Sequence, residues 1–344
     1  MDIKSLVFKN LGKLGYFLFL SHLNRTSRHY MRPGQTFFEI TRNCPLNCSM
    51  CLLKTELKKK GKELAALDIA EIIISAGNRQ VTLTGGEPFF RKDIDQIISR
   101  LSNANHSISV LTSGISNNAL DINKLKTVLK KHSICVSIDG DYELHDEIRG
   151  RKNCLRDSLL FINNFVNKMN VGVQTVVQRD NINELKDIVD ICARNDIHRL
   201  TLNFERYNTP AEYESLCRLI KAYSPAVNPE RDLSCYITEN FNVDSDYIKG
   251  KIFETIRYGL KLGVLVFPFP YKWALHPELY YEREFIGKNC LLLKNNSAYF
   301  DADGKRIICT NIRIKRDSEV GKKICTDISS GKLLPVCKRC CNCI

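Results

Sequence analysis

No run in this 344-residue sequence reaches the roughly 18–20 consecutive apolar residues that a membrane span requires, so the hydropathy pattern gives no transmembrane helix. The first 20 residues carry no small-residue cleavage site behind an apolar run, and no secretory signal is expected. Aromatic and basic side chains are not interleaved in the way that stacks single-stranded nucleic acid, so nucleic acid is not an expected partner. There is no internal repeat, no low-complexity tract beyond the basic stretch 54–63, and no separate peptide-recognition domain. Acidic residues are scarce near both ends: Asp2 alone faces six Lys or Arg in residues 1–32. The expected setting is the cytoplasm.

What the sequence does carry is positive charge and cysteine. The net charge of +13 favours anionic partners in general. Residues 3–20 read as a basic amphipathic helix, with Ile3, Val7, Leu14 and Leu18 on one face, interrupted by Gly12 and Gly15. Such a helix either lies peripherally on an anionic membrane surface or packs on the protein's own fold. Fifteen cysteines are too many for packing alone, and nothing exports the chain to a disulfide-forming compartment. Most fall in two groups, 44–51 and 290–343, a clustering that favours metal or cluster ligation. Cys135, Cys154, Cys192, Cys217 and Cys235 are scattered and read as small buried hydrophobes.

From residue 36 short β-branched or aromatic runs alternate with amphipathic helical ones. Strands are expected at 36–41, 80–84, 107–112, 133–138, 171–177 and 198–204, and helices at 66–76, 91–103, 120–131, 155–169, 183–195 and 211–224. Six consecutive βα units imply a parallel sheet, with a partial barrel and a doubly wound sheet equally compatible on pattern. The rhythm breaks after about residue 225. A helical run at 244–262 and an apolar, proline-containing segment at 264–270 precede the cysteine-rich tail.

Cys44, Cys48 and Cys51 form C-x3-C-x2-C directly after the first strand. Three thiolates on one short loop can hold three corners of a cubane cluster and leave one iron open, whereas such clusters usually take four cysteines. A zinc loop is the alternative, although no nearby fourth ligand completes it. Gly85-Gly86-Glu87-Pro88 follows the second strand, where adjacent glycines let the backbone come close to a ligand. Thr112-Ser113-Gly114 follows the third, and Ser137-Ile138-Asp139-Gly140, continuing to His145-Asp146-Glu147-Ile148-Arg149-Gly150, follows the fourth. Gln174 and Asn203 are polar residues within otherwise apolar strands. Every one of these motifs sits at the C-terminal end of its strand, the edge that carries active sites in parallel α/β folds.

Together these residues resemble the radical S-adenosylmethionine (SAM) superfamily, with Met50 where the family usually has an aromatic and Ser113 where it usually has asparagine. The resemblance implies an α/β fold, a partial (β/α)6 TIM-type barrel with a small C-terminal cysteine-rich cluster domain. It implies a SAM-binding 4Fe–4S cluster on Cys44, Cys48 and Cys51. Cofactor-binding roles carry over to Gly85, Gly86, Glu87 and Ser113, to Ser137 and Arg149 for the SAM carboxylate, and to Asp139 for the ribose. Arginine suits the carboxylate because its fork pairs bidentately.

In the tail, Cys290 and Cys309 belong to C-x13-G-x4-C, and AYFDADGKRIIC (298–309) reads as a β-hairpin turning at Asp301–Gly304. Cys337 and Cys340 follow. This resembles the auxiliary-cluster extension called SPASM, or its shorter form twitch, and implies one auxiliary 4Fe–4S cluster on Cys290, Cys309, Cys337 and Cys340. A zinc site on the same four is the alternative, and Cys325, Cys341 and Cys343 stay unassigned. The resulting division is residues 1–33, a barrel at 34–235 and a cluster domain at 236–344.

The activity implied is reductive cleavage of SAM to a 5′-deoxyadenosyl radical that abstracts hydrogen from an unactivated C–H. The substrate is a peptide, as for maturases, or a small polar or lipid-linked metabolite, and the reducing partner is of the flavodoxin or ferredoxin kind. The auxiliary cluster either accepts an electron from the substrate or only holds the tail together. An iron–sulfur electron carrier or metal-binding scaffold is the alternative of another class, though a carrier has no need of a SAM pocket. No catalytic acid or base is assigned.

Overall fold

Seven parallel strands follow one another across a single sheet: β1 (Gln35–Thr41), β2 (Gln80–Gly85), β3 (Ser107–Thr112), β4 (Ser133–Ser137), β5 (Asn170–Val177), β6 (Arg199–Phe204) and β7 (Leu265–Phe269). The computed structural model describes residues 34–117, 119–238, 244–269, 274, 276–278, 290–332, 334–337 and 340. The amphipathic segment expected at 3–20, with Cys341 and Cys343, lies outside the described residues. Among the described residues no helix is long and apolar enough to cross a membrane.

The strand order decides between the two architectures that the pattern left open. A doubly wound sheet reverses direction at a switch point. Here the order β7-β6-β5-β4-β3-β2-β1 never reverses, as in a barrel that has not closed. The crossovers between strands are α1 (Ala66–Ser75), α2 (Ile94–Asn103), α3 (Ile122–Leu129), α4 (Tyr142–Arg149) with α5 (Cys154–Asn163), α6 (Leu185–Arg194), and α7 (Pro210–Tyr223) with α8 (Ser245–Leu262). Strands and helices share one core in which Phe38, Leu83, Val110, Ile134, Val173 and Leu200 are wholly or nearly wholly buried. Each such side chain stabilises the fold by roughly 1.5–3 kcal/mol relative to exposure.

Two elements depart from the sequence pattern. Residues 142–149 form α4, capped by the Asp141 carboxylate, which accepts from the N–H groups of Glu143 and Leu144 at 3.0 Å each, and ended by Gly150 at φ 62°. The segment 265–269 is a seventh parallel strand paired with β6, and α8 packs into the same core through Ile248, Ile252 and Ile256. The barrel core therefore continues to β7, past the residue where the rhythm breaks. Pro268 is tolerated because β7 is an edge strand.

The other side of β1 is covered by the tail hairpin, β8 (Ala298–Phe300) and β9 (Arg306–Ile307), whose turn holds Gly304 at φ 74°. β8 pairs parallel with β1, and Phe38 stacks on Phe300 with ring centroids 5.5 Å apart. A second, smaller core joins α7 to the tail helix α9 (Glu319–Ser329) through Leu216, Ile220, Ile312, Ile324 and Ile328.

Candidate functional site

The C-terminal ends of the strands surround a cavity of about 730 Å³. Cys44, Cys48 and Cys51 line it, each half-buried. Their loop leaves β1 where the register with β2 shifts between Glu39 and Thr41, an irregularity that re-aims the chain over the sheet edge. Two neighbours then hold the loop by its backbone. From β2, the N–H groups of Gly86 and Glu87 donate to the carbonyls of Thr41 and Asn43, both at 2.8 Å. From α4, the last carbonyls of the helix accept from the loop: Ile148 from Ser49 at 2.9 Å and Arg149 from Asn47 at 3.1 Å. These are carbonyls that a helix end leaves without intrahelical partners.

The glycines follow from this contact. A Cβ on Gly85 would lie 2.5 Å from the Thr41 carbonyl, and one on Gly86 would strike the Asn43 carbonyl. A Cβ on Gly150 would lie 2.5 Å from the Asn47 carbonyl. The close approach these residues allow is thus to the cysteine loop itself, while Gly85 and Gly86 also line the cavity.

Glu87 is buried, and both carboxylate oxygens are engaged. One accepts from the Thr112 hydroxyl and the Phe89 N–H (3.1 Å), the other from the N–H (2.7 Å) and hydroxyl of Ser113. Burial raises its pKa above the ordinary carboxylate value against the pull of these donors. The GGEP and TSG segments are thereby locked together, with Ser113 and Glu87 on the cavity wall.

Ser137 and Arg149 line the same cavity. Ser137 accepts from the Gln174 side-chain amide at 3.1 Å. Arg149 is ion-paired with Asp139 and reaches Cys48 Sγ at 3.9 Å, and its Nε has no hydrogen-bond partner among the described residues. Burial works against the Arg149 charge, but Asp139 and the Cys48 sulfur overcome it and raise its pKa. Asp139 itself is wholly buried, accepts from the Val176 N–H at 2.8 Å, and backs Arg149 from behind the wall. Gln174 and Asn203 both face the cavity. So does Met50, whose sulfur lies 3.0 Å from the Gln178 amide nitrogen.

The donor set fits an iron–sulfur group: soft thiolate ligands on one loop, closed in by protein and opening on a chamber. Burial pushes the Cys44 thiol up to about 12 and raises that of Cys51, with the neighbouring sulfurs adding to it. A bound cation reverses that preference and holds the ligands as thiolates. Among the described residues no three His, Cys, Asp or Glu side chains converge on a point as a single metal ion requires.

The tail cysteines come together as well. Cys309 is half-buried, and the shelter of its thiol, with Cys340, Cys337 and Cys290 adding to it in that order, raises its pKa well above the ordinary value. Cys309 and Cys340 open on the same cavity as the loop cysteines. Cys325 neighbours Cys290, and Cys217 neighbours Cys235. One cavity residue that the sequence reading passed over is Glu205, just past β6, since nothing in the sequence shows that this carboxyl is buried.

Residues 38–192 match the radical SAM superfamily. Over 188 residues the chain is 27% identical to the PqqA peptide cyclase of Bradyrhizobium diazoefficiens, covering 53% of this chain and 49% of that protein. It is 26% identical over 180 residues to the sporulation killing factor maturation protein SkfB of Bacillus subtilis, covering 50% and 42%. The chain thus spans about half the length of the curated relatives it matches. Among solved structures, Streptococcus suis SuiB bound to the precursor peptide SuiA superposes with a TM-score of 0.61 at 15% identity, covering 93% of this chain and 74% of that one. Native anSMEcpe with bound AdoMet gives 0.55 at 14% identity, covering 89% and 88%. At these identities the likeness is one of fold.

Proposed function

We propose that this chain, whose residues 38–192 match the radical SAM superfamily, is a radical SAM enzyme that modifies a peptide by hydrogen abstraction from an unactivated carbon. Two relatives named for a peptide cyclase and a killing-factor maturation protein support a peptide substrate. The observation that carries the reading is one cavity whose wall holds Cys44, Cys48 and Cys51, the donors of Ser137 and Arg149, and Cys309 with Cys340.

Cys44, Cys48 and Cys51 are the ligands of the SAM-binding 4Fe–4S cluster, and Cys290, Cys309, Cys337 and Cys340 hold the auxiliary one. When bound, the first cluster with SAM would supply the one-electron chemistry that starts hydrogen abstraction from the substrate.

The chain's own residues do the positioning. Arg149, fixed by Asp139, and Ser137, fixed by Gln174, stand on the same cavity wall, a donor pair suited to a carboxylate. Glu87 has both oxygens engaged, so its part is to hold the β2 and β3 loops at a fixed spacing, while its backbone with Gly86 braces the cysteine loop. The enclosed wall restricts water around the reacting carbon. An external one-electron carrier of the flavodoxin or ferredoxin kind is the reductant.

The test is anaerobic reconstitution with iron and sulfide, followed by SAM and dithionite, with 5′-deoxyadenosine quantified. The wild-type chain forms it and Cys48→Ala does not. A reconstituted, iron-loaded wild type that forms none overturns the proposal.

A further inference from the structure

Seven acidic side chains among the described residues are buried: Glu39, Glu56, Glu87, Asp95, Asp139, Glu205 and Asp301. Six have partners. Glu39 pairs with Arg313, Glu56 with Arg42 and Lys59, Asp95 with Lys124 and Asp139 with Arg149. Glu87 is held by Thr112 and Ser113, and Asp301 accepts backbone N–H groups of its own turn. Glu205 is 6% exposed, and its carboxyl has neither a hydrogen bond nor an ion pair among the described residues.

Its position, just past the end of β6, puts it on the cavity wall. Along β6, Leu200, Leu202 and Phe204 are buried while Thr201 and Asn203 are less so, the alternation of a strand with two unlike faces. Asn203 lines the cavity, and where the strand ends Phe204, Glu205 and Arg206 line it too. The groups around it give no compensating charge. Asp180 beyond β5 and Asp139 beyond β4 are both negative, and Tyr236 is a neutral phenol whose own proton Glu205 helps to hold. On the cavity wall Arg149 is taken up by Asp139, and Arg206 belongs to the same rim. Burial, with Asp180 and Asp139 adding to it, pushes the Glu205 carboxyl up to about 8. At neutral pH the group is therefore mostly an acid, able to donate its proton to a hydrogen bond.

We propose that Glu205 is a specificity-determining residue of the cavity: as a neutral carboxyl it donates its O–H to an acceptor oxygen of the substrate, the carbonyl of a peptide group. The inference rests on the cavity being the substrate chamber. A carbonyl fits the surroundings better than a cation does, since Arg149 and Arg206 already stand on the wall and the chain carries +13 overall. A site built to donate also discriminates, because an analogue without the acceptor leaves a buried polar group unpaired.

The test reads the carboxyl directly, in SAM-loaded holoenzyme labelled with 13C-carboxyl glutamate. The infrared difference between wild type and Glu205→Gln isolates this group from Glu39 and Glu87. A protonated-carboxyl band is expected at a pH well below about 8, and it disappears well above it. N-methylacetamide, as a peptide-carbonyl probe, shifts the band to lower frequency and raises its titration midpoint, whereas methylammonium leaves it in place. Glu205→Gln retains a donor and folds with an unchanged thermal midpoint. Absence of the band from the SAM-loaded enzyme, its loss on adding methylammonium, or no response to N-methylacetamide each overturns the proposal. The band is read without turnover, so a wild type that fails to make 5′-deoxyadenosine strikes the proposed function and not this assignment.

Discussion

The guanidinium of Arg313 meets both carboxylate oxygens of Glu39, at 2.8 and 2.7 Å, across a separation of 274 residues. Its Nε also lies 3.1 Å from Glu56, which is held in turn by Arg42 at 2.8 Å and Lys59 at 2.6 Å. Arg42 then reaches Asp303 in the tail hairpin at 2.9 Å. The network joins the strand that leads into the cysteine loop, the turn that leaves it, and the C-terminal segment. Burial opposes the Arg313 charge, but Glu39 and Glu56 raise its pKa above the ordinary value.

Removing one partner of a buried pair leaves the other uncompensated. Arg313→Ala is predicted to cost about 3–5 kcal/mol of stability. Chemical denaturation of the variant checks it, and a loss below about 1 kcal/mol would place the pair among weak surface bridges.

Gly86→Ala and Gly150→Ala are predicted to push the cysteine loop away from its braces. Gly150 adds the strain of a positive φ, of order 1–3 kcal/mol. Both variants should take up less iron on reconstitution than wild type, measured as iron per chain. Gly263→Ala is the control, since it has a positive φ of 76° but open space around its Cβ and lies outside the cavity.

His145 is wholly buried, and its Nδ1 accepts from the Asp139 N–H at 3.1 Å, so the ring is neutral with its proton on Nε2. Burial first, then the Arg149 charge, pushes its pKa down from 6.5 to about 4. The unfolded chain takes a proton near 6.5 and the folded chain only near 4. Stability is thus fully present above that window and falls as pH drops through it, by up to roughly 3 kcal/mol. Denaturant midpoints across the window should show the slope, and His145→Asn should flatten it.

Much of the fold was legible because its strands are short runs rich in β-branched and aromatic residues that alternate with amphipathic helices. All six strands expected from the sequence fall within a residue of their observed limits. What escaped was carried by weaker signals. Helix α4 has few apolar residues, and only its caps, Asp141 and Gly150, announce it. Strand β7 contains Pro268, which reads as a breaker until the strand is known to lie at the edge. In the site, the cysteine loop and its companion motifs were visible as residue types at fixed spacing. That Gly85 and Gly86 press on the loop backbone, or that Glu205 lacks a partner, depends on tertiary approach, which spacing does not encode.

Cys309→Ala is predicted to lose auxiliary iron while the loop cysteines keep theirs, because the two groups share a cavity but not a backbone brace. Iron and sulfide analysis of the reconstituted variant should fall partway, whereas a complete loss would mean that the two groups form one site.

The central claim is that Cys44, Cys48 and Cys51 hold a cluster with one iron open to SAM, and electron paramagnetic resonance of the reduced, reconstituted protein tests it most directly. SAM should change the spectrum of wild type and of a Cys309→Ala/Cys337→Ala variant, and should change nothing in Cys44→Ala/Cys48→Ala/Cys51→Ala. A wild-type cluster signal indifferent to SAM would contradict the account.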